Sequence, residues 1–136
     1  MDANGRTPGL LIVEDDTASG IIISQIANRV GFAPKVARSF AELGALVRER
    51  TWDCVTLDLS IDFERSGLDI LRLLSEQGCT APIIIISAAT ETQCAMAMSR
   101  GRMLNLRLLE ALHKPFDLGE LHKALANVRA GLEVPA

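Results

Sequence analysis

Three short runs of nearly unbroken apolar residues, 10–13 (LLIV), 54–57 (CVTL) and 83–86 (IIII), constrain the fold more than any other feature of this chain. A strand with one wet face alternates apolar and polar side chains. A run without alternation asks to be covered on both faces, which a central parallel sheet between two layers of helix provides. Two further runs, 34–37 (PKVA) and 106–112 (LRLLEAL), read as strands of the same sheet.

Between these runs lie segments of helical period with start signals. SFAE at 39–42 is a capping box ahead of Leu43, Leu46 and Val47. SGLD at 66–69, TETQ at 90–93 and DLGE at 117–120 repeat the spacing. The first helix is expected to begin at Asp16 or Thr17 and to run to about Val30, where Gly31 stops it. The order is strand then helix, five times over. Right-handed crossovers turn that order into a doubly wound α/β fold, a five-stranded parallel sheet with helices on both faces.

At 136 residues, 49% hydrophobic and 23% charged, the chain fits one globular domain, expected over 8–131 with flexible tails at 1–7 and 132–136. A net charge of −3 offers no general attraction to nucleic acid or an anionic membrane. The apolar runs are too short to span a bilayer, and no basic-then-apolar leader opens the chain. Cys54, Cys79 and Cys94 form no CxxC pair and read as reduced thiols in a cytoplasmic protein.

The first strand stops at Glu14, Asp15 and Asp16, and three acids in a row repel. The third strand ends at Asp58, the fourth at Ser87, and the fifth runs into HKPF with Lys114 before Pro115. In a doubly wound sheet these strand ends share one edge, where ligands bind. Carboxylates converging there make a hard-oxygen site for Mg²⁺, whose charge offsets their repulsion. A cation, an ammonium and a hydroxyl around one carboxylate suit a phosphoryl group. Each residue alone has a plainer reading: Asp16 as a helix cap, Asp58 as a loop acid, Ser87 as a turn hydroxyl, Lys114 as a solvated lysine. The convergence of all four strand ends is what outweighs those readings.

LLIVEDD, the aspartate of VTLDLS, the SA after IIII, and KPF together resemble the receiver domain of bacterial two-component response regulators, over residues 9 to about 130. The expected arrangement is then flavodoxin-like, with strand order 2-1-3-4-5. The resemblance implies that a sensor histidine kinase or phosphotransfer protein phosphorylates Asp58. It implies that Glu14, Asp15, Asp58 and the backbone carbonyl of Ser60 hold Mg²⁺, that Ser87 and Lys114 contact the phosphoryl oxygens, and that the Lys114–Pro115 bond is cis. A downstream protein target or output domain is the implied partner, and a homodimer stays open. Three features depart from the family. The loop LSIDFERSG lacks proline and is slightly long, the 27 positions from Ser87 to Lys114 exceed the usual interval, and Ala111 stands where most members carry Tyr or Phe. The long fourth helix and LRLLEALHKP resemble receivers joined to cyclic-di-GMP phosphodiesterase domains. Residues Met96, Met98, Arg100, Arg102 and Arg107 are a candidate partner-binding face. Two other functions stay open: a receiver-like interaction module that is never phosphorylated, and a Mg²⁺-dependent aspartyl-phosphate phosphatase. The second usually needs an acid two residues after its nucleophile, where this chain has Ser60.

Overall fold

Residues 5–59 and 67–132 are described by the computed structural model. Five strands and five helices alternate: β1 (Gly9–Val13), α1 (Thr17–Val30), β2 (Ala33–Ala37), α2 (Phe40–Glu49), β3 (Cys54–Leu57), α3 (Gly67–Glu76), β4 (Pro82–Ser87), α4 (Glu91–Met103), β5 (Arg107–His113) and α5 (Leu118–Gly131). All strand pairs are parallel, in the order β2-β1-β3-β4-β5.

The apolar runs are buried on both faces, as their lack of alternation requires. Leu11, Val13, Val55, Leu57 and Ile83 point into one core with Leu43 of α2 and Ile70, Leu71 and Leu74 of α3. Leu10, Ile12, Cys54, Ile84 and Ile86 point the other way, onto Ile23, Ile26 and Ala27 of α1 and Leu121, Ala124 and Leu125 of α5. Each fully buried Leu or Ile contributes about 1.5–3 kcal/mol, so the three central strands carry most of the stability. Strand β2, at the sheet's edge, is half exposed and accommodates Pro34, whose missing N–H would weaken a central strand.

The helix signals place the helix starts. Asp16 caps α1 by accepting from the Ser19 amide at 2.9 Å, and Gly31 closes the helix in the left-handed region at φ 105°. Ser39 caps α2, Thr90 and Gln93 form a reciprocal capping box on α4, and Asp117 caps α5. The cap expected at Ser66 lies outside the described residues.

Strand β5 departs from the expected pattern. Ile83 pairs with Leu108 but Ile84 pairs with Glu110, so Leu109 is an extra residue in the ladder. Without this bulge Leu108 and Leu112 would share a face. With it, Leu108 joins the core under α2 and α3, and Leu112 joins the core under α1 and α5. Helix α4 closes on β5 at Gly101, where a Cβ atom would lie 2.4 Å from Leu108 Cδ1. The candidate partner face is also redrawn. Met98 packs against the core, whereas Met96 and Met103 are 53% and 80% exposed.

Candidate functional site

Register brings the polar residues to one edge. Val13 pairs with Leu57, so Glu14 and Asp58 leave adjacent strands side by side. Their amides continue the ladders, Glu14 N donating to Ala37 O and Asp58 N to Val13 O, each at 3.1 Å. Leu57 pairs with Ile85, which sets Ser87 one step beyond Asp58 on the neighbouring strand. The Lys114 amide donates to Ser87 O at 2.9 Å and fixes the end of β5 against β4. The Lys114–Pro115 peptide is cis.

The side chains meet across these ends. Carboxylate oxygens of Glu14, Asp15 and Asp58 all lie within 4.8 Å of one another. Lys114 Nζ donates to Asp58 Oδ2 at 2.8 Å and also to Glu14 Oε1. Glu14, Asp58 and Ser87 are buried, while Asp15 is open to solvent on one side. Ser87 Oγ accepts from the Ala89 amide at 3.1 Å, an orientation that lets its own proton serve as a donor.

Burial dominates the electrostatics. It pushes the Glu14 carboxyl up from its ordinary value to about 7, against the pull of the Lys114 ammonium and with the help of the neighbouring Asp58 charge. Burial also works against the Lys114 ammonium. The hydrogen bonds to Asp58 and Glu14 outweigh it, so Lys114 stays protonated above its ordinary range. Asp16 turns away from the cluster, and its carboxyl is held low by Ser19 hydrogen bonds. A cluster of this kind fits a small hard divalent cation: three carboxylates in reach of one point, one of them open to solvent, with no sulfur or imidazole donor among them.

Asp15, Asp58, Glu14 and Lys114 are therefore brought into one pocket, and Ser87 sits at its wall. Ser60 lies outside the described residues. His113 is exposed at the end of β5, and Trp52 packs at the corner between α2 and β3, its indole N–H donating to Leu46 O at 2.8 Å. The double engagement of Lys114 was not expected. A lysine one hundred positions from Glu14 carries no local signal of its partner. The three cysteines are free thiols, and burial pushes the Cys54 thiol up to about 12.

A doubly wound domain with an acid cluster and a lysine at its carboxyl edge fits the class of phosphoacceptor signalling domains. The sequence matches the response regulator receiver domain family over residues 10–126, and the chain belongs to that family. It is 30% identical over 132 residues to the DNA-binding transcriptional regulator NtrC of Bradyrhizobium sp. (strain RP501 Parasponia), covering 93% of this chain and 26% of the relative. It is 34% identical over 122 residues to the response regulator protein PmrA of Pseudomonas aeruginosa, covering 89% of this chain and 51% of the relative. The chain thus spans about a quarter to a half of these relatives' length. In fold it is similar to a response regulator from Colwellia psychrerythraea, with a TM-score of 0.78 at 20% identity over 93% of this chain and 99% of that one. No helix among the described residues is long and apolar enough to cross a membrane.

Proposed function

We propose that Asp58 is the phosphoryl acceptor of this receiver domain, within a unit spanning residues 8–131. The observation that carries the reading is the Lys114 ammonium 2.8 Å from an Asp58 oxygen inside a cluster of carboxylates. A carboxylate oxygen of Asp58 attacks the phosphorus of a phosphohistidine donor. The P–N bond breaks, and the kinase imidazole leaves and takes up a proton. Lys114 and the Ser87 hydroxyl receive the developing negative charge on the phosphoryl oxygens. Glu14, Asp15, Asp58 and the Ser60 carbonyl would hold Mg²⁺, which supplies charge neutralisation for the incoming phosphoryl group. The new group adds about −1.5 to −2 charge beside Ser87 and draws the segment that follows it, residues 88–92, toward the site. The chain works in the cytoplasm with a sensor kinase or phosphotransfer protein upstream and a protein target or output domain downstream. Its only chemistry is its own phosphorylation and dephosphorylation.

Acetyl phosphate with Mg²⁺ tests this by intact mass. The wild-type chain gains one phosphoryl group, and Asp58→Asn gains none. A phosphorylated Asp58→Asn chain would sink the assignment. Sustained turnover of a chromogenic phosphate ester would favour the phosphatase reading instead.

A further inference from the structure

At the opposite end of the sheet from Asp58, a cavity of about 360 Å³ opens between the α2–β3 and α3–β4 connections. Leu11 and Val55 lie beneath it with no exposed surface, so its accessible apolar wall is Val47 and Cys79, and its rim carries Arg48 and Arg50. Among the described residues the lining contains no carboxylate, and the nearest one described against its arginines is Asp53, beside Arg50. Arg50 is held in place from several sides. Its guanidinium lies 5.1 Å over the Trp52 ring, pairs with Asp53 at 3.6 Å, and donates through Nε to Thr51 O at 3.2 Å. Asp53 is itself fixed by accepting from the Gly9 amide at 2.8 Å. Gly9 makes the room, since a Cβ there would lie 2.8 Å from Arg50 Cζ. Arg48 is steadied by one bond, from Nη1 to Gly44 O at 3.1 Å, which leaves most of its donor fork for a ligand. A positioned guanidinium costs little further ordering when it binds, and its planar fork matches an oxyanion.

We propose that this cavity is a second ligand site, for a small organic anion whose apolar body packs on Val47 and Cys79 and whose oxyanion head is taken by Arg48 and Arg50. The volume sits at the low end of small-molecule pockets, which limits the ligand to roughly one ring and its head group. Carboxylate and phosphate heads share this chemistry.

The test titrates the full ¹⁵N-labelled chain with phenyl phosphate and with benzoate, and with phenol and inorganic phosphate as half-ligands. Trp52 is the only tryptophan, so its indole N–H is a unique reporter beside the cavity. Phenyl phosphate or benzoate should shift this signal and the Gly78 and Cys79 amides saturably, about tenfold or more tighter than either half-ligand. The stronger of the two names the head group. Arg48→Gln should weaken binding about tenfold, and it avoids disturbing the Arg50–Asp53 pair. Asp58→Asn should bind as the wild type does, so the outcome is independent of phosphorylation. No saturable shift, phenol binding as tightly as the anions, or an unchanged affinity in Arg48→Gln would each overturn the proposal.

Discussion

Strand β4 and helix α4 are consecutive in the chain and built on opposite terms. All six residues of β4 are buried, Ser87 included. Of the thirteen residues of α4, only Cys94 and Gly101 are buried, and two methionines stand in solvent. The strand has so many apolar neighbours that it holds Ser87 in a fixed place beside the acid cluster. The helix has few such contacts, so moving it costs little. A domain that registers a new charge beside Ser87 needs both: an edge that does not yield and an element beside it that does.

That contrast can be broken most severely at Asp58. In Asp58→Asn, acetyl phosphate should leave every α4 amide where it was. In the wild type, amides of residues 88–103 should shift while those of 83–86 keep slow hydrogen exchange. Shifts confined to the neighbours of Asp58 would contradict the idea of a yielding half. Next in size, Ile84→Ala should lower unfolding stability by about 2–5 kcal/mol in urea, because its side chain is fully buried between β4 and the α1–α5 layer.

A comparable effect should follow from pH. The Glu14 carboxyl is raised in the fold, so the folded chain holds a proton that the unfolded chain releases between about pH 4.5 and 7. Stability in EDTA should fall across that window by on the order of 3 kcal/mol and level off above it. Glu14→Gln should flatten that slope. The raised Lys114 loses its contribution only above its ordinary value of 10.5, and the lowered Asp16 acts below 3.8, so neither falls in the window. Gly101→Ala should cost about 1 kcal/mol, since the contact with Leu108 outweighs the gain in helix propensity. Smallest of all, Met103→Ala should change stability by less than about 0.5 kcal/mol, as expected for an exposed side chain on the yielding half.

The same division separates what was legible in the sequence from what was not. Unbroken runs such as IIII announce their burial, and caps such as Asp16 and Thr90 act within three residues of themselves, so strands and helix starts could be read locally. The strand-end acids and Lys114 could be placed because a parallel sheet sends every strand's carboxyl end to one edge. The Lys114–Glu14 contact, the bulge at Leu109 and the fit of Gly101 against Leu108 depend on residues distant in sequence or on the register of a neighbouring strand. No local pattern encodes them. Met98 and Met103 are chemically alike, and only their positions around α4 decide that one is core and the other surface.

The account rests on four strand ends forming one phosphoryl-accepting pocket, and a crystal grown with Mg²⁺ and beryllofluoride tests it most directly. It predicts beryllofluoride on an Asp58 oxygen, Mg²⁺ on the Asp15 and Asp58 carboxylates, and Ser87 and Lys114 on the fluorines. An Asp58 carboxylate left bare beside bound Mg²⁺, or an adduct on any other residue, would contradict it.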